Sequence, residues 1–237
     1  MEQTIIKALS DLKQILSSLR KKGDPTHARN EEKYLKTNFK CYGVYGTELH
    51  LSLNEFCKSH KDISKADLLY LLDSLWTSKY HTEKTFAIKL VSKYISLFGP
   101  KDIPYFKKWL KESDGWCHTD YICGLVVGEL VYKHPTIKKT INCWRDDKVL
   151  WVRRASLISY IVSIRHTDRD IKDVFNNSIY LSGEKDFFIR KAIGWILREA
   201  SKKYPKEVLG FVSKYENKLS NLSKKEAIRN IKLKKTL

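Results

Sequence analysis

The sequence predicts an all-α protein, an α-solenoid of two-helix repeats with a concave basic surface, and three observations lead there. Apolar residues recur along the whole chain at the helical period, about 100° per residue. The breaks are Gly23-Asp24-Pro25, Gly99-Pro100, His134-Pro135 and Tyr204-Pro205, signals that stop one helix and start the next. A faint internal period accompanies them. Glu129…Pro135 and Glu199…Pro205 share a spacing 70 residues apart, and WVRRASL at 151–157 aligns with FIRKAIG at 188–194 at an offset of 37. The small or apolar residues at the heart of successive helices are Ala87, Ile122, Ala155, Ala192 and Ala227, which lie 35, 33, 37 and 35 residues apart. That is the length of a helix pair burying one face against the next pair, and about five to six such repeats fill the chain.

Residues 1–22 carry Ile5, Leu9, Leu12, Leu16 and Leu19 on one stripe and read as an N-terminal capping helix. Residues 116–120 (WCHTD) lead into YICGLVVGELVY, apolar nearly all round and so internal to the stack. In FFIRKAIGWILRE at 187–199, Ile189, Ala192, Ile193, Ile196 and Ala200 form the packing stripe. Lys191, Trp195 and Arg198 fall on the opposite face. Residues 222–237 read as a C-terminal basic helix that opens on a capping-box spacing, Ser223…Glu226, and ends in a Lys-rich tail. The 237 residues are assigned to one domain.

Charge narrows the function. Lys+Arg number 45 against 27 Asp+Glu, a net +18, well beyond what solubility asks. A polyanion is the simplest partner, with phosphate neutralisation supplying much of the affinity. No apolar run is long enough to span a bilayer and MEQTIIKALSDLK has no signal-peptide character, so the reading is intracellular and cytoplasmic, nucleoid-associated in a bacterium, and away from membranes. The five cysteines (Cys41, Cys57, Cys117, Cys123, Cys143) are odd in number and none are spaced C-x2-C. Neither a disulfide framework nor a structural zinc site is expected; Cys117-His118 is a faint metal hint, and no cofactor or metal is assigned.

Trp195 between two cations has two readings: it stacks on a nucleic acid, or it packs beneath a neighbouring helix with the cations as a solvated rim. Asp120 shares a helical face with Trp116 and also has two readings. It can cap the apolar helix behind it. Alternatively, in so basic a chain, it meets a developing positive charge such as an oxocarbenium ion. Walker A, G-x-G-x-x-G, H-E-x-x-H, H-x-E…P-C-x-x-C and G-x-S-x-G patterns are missing, as are clustered acids for a two-metal nuclease.

On these segments the chain resembles the AlkD family of DNA alkylation-repair glycosylases, which are HEAT-like-repeat proteins. FFIRKAIGWILRE carries the resemblance most strongly, supported by YLKTNFKCYGV at 34–44, WCHTD, LWVRRAS at 150–156 and LSKKEAIRNI at 222–231. The resemblance implies a monofunctional glycosylase that removes cationic N3- or N7-alkylated purines from duplex DNA, as a monomer and without obligatory base flipping. It implies that Asp120 is the catalytic carboxylate and that Trp116 and Trp195 contact the deoxyribose of the lesion. It implies that Arg154 grips backbone, that Tyr34 stands near the lesion, and that Lys191, Arg198 and the neighbouring Arg190 lie along the phosphate path. Family members commonly carry Trp-Asp-x-Val-Asp where this chain has Trp116-Cys117-His118-Thr119-Asp120. The alternative is therefore a catalytically inactive HEAT-like protein that binds damaged or branched DNA by shape. A scaffold for an acidic protein is a third reading.

Overall fold

The computed structural model describes residues 2–231, and among them the fold is helical, with no strand beyond an isolated bridge between Lys40 and Tyr80. The all-α expectation holds. The chain divides into two compact units, one taking in the chain up to Phe98 with Asp114–Tyr121, the other Gly99–Ser113 and the chain from Ile122 on.

Unit 1 contains α1 (Glu2–Lys22), α2 (Pro25–Leu35), α3 (Gly46–Ser59), α4 (Lys65–Trp76) and α5 (His81–Lys93). Asp24 accepts the His27 amide at 2.6 Å, and Pro25 at the first helical position starts α2. Leu12 and Leu19 of α1 are buried, and Ile5, Leu9 and Leu16 are half-buried. The α1 helix packs on α3, which packs on α5, itself paired with α4. Gly43 has φ +74°, and a Cβ there would lie 2.1 Å from the Asp24 carbonyl oxygen, so glycine is required where the chain passes the start of α2.

Unit 2 begins with α6 (Ile103–Glu112). After α7 (Trp116–Ile122) it continues through a π-helical turn at Cys123–Val127 into α8 (Gly128–Lys133) and α9 (Lys138–Cys143). Then come α10 (Leu150–Ile158), α11 (Ile161–His166), α12 (Ile171–Tyr180), α13 (Phe187–Ser201), α14 (Pro205–Lys214) and α15 (Asn221–Ile228). Helix α13 packs on α10 before it and, most extensively, on α15 after it.

The repeat period survives in three dimensions. Ala87, Ile122, Ala155, Ala192 and Ala227 are all fully buried. The polar ties recur at the same interval: Lys138–Asp173 and Asn177–Asn142 are 35 residues apart, Arg165–Glu199 34, Arg153–Glu184 31 and Lys191–Glu226 35. Successive helix pairs of unit 2 are thus hydrogen-bonded to one another across intervals of 31 to 35 residues.

The C-terminal expectation needs one correction. The cap of α15 is Ser220, whose Oγ accepts the Ser223 amide at 3.0 Å. Ser223 lies inside the helix, and its hydroxyl donates to the Arg190 carbonyl at 2.8 Å. Glu226 turns to α13 and does not reach back to the cap. Residues 232–237, the Lys-rich end of the expected basic helix, lie outside the described residues.

Candidate functional site

In unit 1, α7 starts where a carboxylate pins it. Asp114 accepts hydrogen bonds from Thr37 Oγ1 at 2.6 Å and from the Asn38 amide at 2.7 Å, so the segment after α2 holds the approach to Trp116. Trp116 is the first residue of α7 and Asp120 lies one turn on, so the two share a face, both half-buried. Because the helix starts at Trp116, Asp120 is inside it and is not its N-cap, which removes the capping reading. The Tyr34 ring, at the end of α2 and 71% exposed, meets Trp116 edge-on with centroids 5.7 Å apart. Tyr34, Trp116 and Asp120 therefore lie along α2 and α7 of one unit.

The opposite face of α7 rests on a buried polar layer. His118 stacks on His81, centroids 3.9 Å apart. Its Nε2 stands 3.2 Å from the His81 carbonyl oxygen, which can only accept, so Nε2 carries the proton. Burial holds both rings neutral: His81 falls to about 4, with Asp114 opposing and Lys84 reinforcing the shift, and His118 lies well below the usual histidine range. Lys84 is buried between the rings of Phe39 and Trp76, at 4.6 and 4.8 Å, with its ammonium on the Trp76 carbonyl. Cys117 is pushed up to about 12 by burial, then by the charges of Asp120, Glu31 and Asp114, so it is a neutral thiol beside Asp120.

In unit 2, Asp186 accepts the Phe188 amide at 2.7 Å and starts α13. Ile189, Ala192, Ile193, Ile196 and Ala200 are buried, as the sequence pattern requires, and Lys191, Trp195 and Arg198 are half-buried on the other face. Arg154 of α10 is 3% exposed. Its Nη1 donates to the Phe188 carbonyl at 2.5 Å, and its guanidinium carbon stands 6.0 Å from the Trp195 ring centre. Arg154 thus braces the tryptophan from α10, and Trp195 is neither free in solvent nor covered. Lys191 and Arg198 both pair with the buried carboxylate of Glu226, Lys191 at 2.7 Å. The Lys191 ammonium is nevertheless held below its usual range, by desolvation and then by Arg198, Arg229 and Arg154. Four cations crowd this face around one carboxylate, an arrangement suited to an anion. Arg190 is turned aside, its Nε donating to the Glu184 carbonyl at 3.0 Å.

The resemblance assigns Tyr34, Trp116, Asp120, Arg154, Arg190, Lys191, Trp195 and Arg198 to one lesion site; Tyr34, Trp116 and Asp120 lie in unit 1 and the others in unit 2. The sequence reading missed Asp114, Arg229 and the ordering role of Glu226. A signal existed for Glu226, since it lies 35 residues beyond Lys191, one repeat on.

The sequence pattern of the family described as "DNA alkylation repair enzyme" matches residues 15–231, and the chain belongs to that family. Its fold is similar to that of a predicted DNA alkylation repair enzyme from Enterococcus faecalis, at 24% identity and TM-score 0.80, over 88% of this chain and 96% of that one. It is also similar to AlkD2 from Streptococcus mutans (17% identity, TM-score 0.63, 80% and 92% covered) and to smu.31 from Streptococcus mutans UA159 (18%, 0.62, 78% and 94%). No curated protein matches the sequence. Among the described residues no helix is long and apolar enough to cross a membrane.

Proposed function

We propose that this chain is a monofunctional DNA glycosylase that hydrolyses the N-glycosidic bond of cationic N3- or N7-alkylated purines in duplex DNA. The observation that carries the reading is Asp120: a half-buried carboxylate on the Trp116 face of α7, not engaged as a helix cap, in a chain of net charge +18. An alkylated purine is already cationic and leaves with the bonding electron pair without needing a proton. What remains is positive charge on the sugar, which a carboxylate in a partly desolvated site stabilises. Water then adds to the anomeric carbon and gives its proton to Asp120 or to solvent. Trp116 and Trp195 offer electron-rich faces to the cationic sugar, Arg154 braces Trp195, and Lys191 and Arg198 serve backbone phosphate. No cofactor is required, and a monomer suffices.

One observation favours a second reading, a DNA-binding protein without chemistry. Cys117, a neutral thiol, stands where family members commonly carry a second acid, so one carboxylate must do the work alone. One experiment separates the two. Duplex DNA containing N7-methylguanine is incubated with wild type and with Asp120→Asn, and released base is measured. We expect release by wild type and a loss of roughly 100- to 1,000-fold in the variant, with binding to abasic DNA kept. Trp116→Ala and Trp195→Ala should lower excision more than nonspecific binding. Intact binding with no release by either protein selects the second reading, and equal release by both overturns the role of Asp120.

A further inference from the structure

We propose that Glu31, Cys41 and His81 of unit 1 form a binding site for a zinc-type divalent ion. The three residues are 10 and 40 positions apart in sequence, yet one ligand atom from each lies within 4.8 Å of the other two. Ligand atoms around a tetrahedral zinc ion are about 3–4 Å from one another, so a small closure completes the geometry.

The backbone prepares this meeting. The Lys40–Tyr80 bridge has no sheet to belong to in a helical protein. Its hydrogen bonds, Lys40 amide to Lys79 carbonyl at 3.0 Å and His81 amide to Lys40 carbonyl at 2.8 Å, set Cys41 beside His81. The Cys41 amide donates to Glu32 Oε1 at 2.9 Å, which draws the same segment to α2, where Glu31 sits. The His81 ring is fixed by its stack on His118, and its Nδ1 lies 3.5 Å from Thr85 Oγ1, the kind of outer contact that orients a ligating imidazole.

Charge and chemistry agree. Within a strongly basic chain the group brings a carboxylate, a thiol and an imidazole together, with Glu32 Oε1 on the Cys41 amide. The Cys41 thiol and the Glu31 carboxylate are already hydrogen-bond partners, and a dication would take the place of the shared proton. The His81 imidazole offers a ring nitrogen to a metal. Thiolate, imidazole and carboxylate together select zinc over magnesium or calcium. On binding, the metal–sulfur bond replaces the Cys41 S–H bond and the proton passes to solvent. The ion would tie α2, which carries Tyr34, to the start of α5. The site stands on its own geometry and does not depend on base excision.

The test is metal titration of the chelator-treated full chain with cobalt(II), whose thiolate charge-transfer absorption in the near ultraviolet reports a sulfur ligand. We expect one equivalent to bind and to be displaced by zinc. Cys41→Ser should abolish the absorption, and Cys143→Ser, at an exposed thiol, should retain it. Glu31→Gln and His81→Gln should weaken binding by more than the ~10–100-fold that loss of an outer contact costs. Circular dichroism checks that each variant folds; should Cys41→Ser fail to fold, Glu31→Gln decides. Absence of the absorption in wild type overturns the proposal. So does its persistence at full affinity in the Cys41 or Glu31 variant.

Discussion

Helices α13 and α15 approach closely at Gly194, and a single methyl group there tests how the basic face is held. A Cβ at Gly194 would stand 2.5 Å from Glu226 Cβ, 3.0 Å from Glu226 Cγ and 3.1 Å from the Ser223 carbonyl oxygen. Cβ and a backbone oxygen cannot swing aside as a side-chain tip can. Ordinary contact starts at 3.4 Å, so Gly194→Ala requires α15 to retreat by about 0.9 Å. Forcing an extra methyl group into a packed contact costs about 1–3 kcal/mol, against about 1 kcal/mol returned by alanine's better helix propensity. The net is a loss of up to about 2 kcal/mol, and at ~2–4 °C per kcal/mol for a chain this long Tm falls by several degrees. Gly210 in α14 is the control, because a Cβ there meets nothing within 4 Å. Gly210→Ala keeps only the propensity gain and should raise Tm by ~2–4 °C. Differential scanning calorimetry of both variants decides. If Gly194→Ala raises Tm as much as Gly210→Ala, the close approach of α13 and α15 is refuted, and with it the ordering of Lys191 and Arg198 through Glu226.

Glu226→Gln keeps the shape of the side chain and removes its charge. With Lys191 39% exposed, the pair's stability is discounted for solvent, and we expect a loss of about 1–2 kcal/mol. DNA affinity at low salt should rise and its salt dependence steepen, measured by fluorescence anisotropy; weaker binding at every salt concentration would count against Glu226 as a counter-charge. Arg154→Ala removes the brace on Trp195 and should lower excision more than nonspecific DNA binding, and Arg154→Lys, which keeps the charge but not the planar fork, should restore it only in part. Burial alone would raise the Glu199 carboxyl, but hydrogen bonds and charge from Arg165 and Lys202 outweigh it and hold the pKa below the usual 4.5. A depressed carboxyl contributes stability above the unfolded value that is lost as pH falls through the folded one. Glu199→Gln should therefore be less stable at neutral pH and show a shallower loss in acid, read from urea midpoints across pH 3–7; parallel curves would refute the assignment.

The helical repeat was legible because burial repeats. A residue at the centre of each inner helix must be small or apolar, and Ala87, Ala155, Ala192 and Ala227 kept that mark in the sequence. The face of α13 was legible for the same reason, since a stripe of isoleucine and alanine leaves only one direction for Lys191, Trp195 and Arg198. The start of α15 was misread because Ser220 and Ser223 both precede a helical run, and only backbone direction tells which one caps. The role of Asp114 was hidden by distance, its partners Thr37 and Asn38 lying 77 and 76 residues away. Glu31, Cys41 and His81 were hidden more deeply. Their meeting depends on an isolated backbone bridge, which leaves no periodic signal, so cysteine spacing pointed away from a metal.

The acidic residues of unit 2 account for how the chain can be so basic and still fold. Asp170 and Asp173 receive Lys138, Glu184 receives Arg153, Glu199 receives Arg165 and Glu226 receives Lys191, each across an interval of 31 to 35 residues. These carboxylates act as ties from one repeat to the next, and most are buried or half-buried. With 45 basic against 27 acidic groups, each tie neutralises the cation it holds, and the net +18 is carried by cations outside these ties. Phosphate can then be bound without breaking the ties that hold the repeats together. The exception is Glu226, which is both a tie to α13 and the counter-charge of its cations, and there binding and stability are coupled through one side chain.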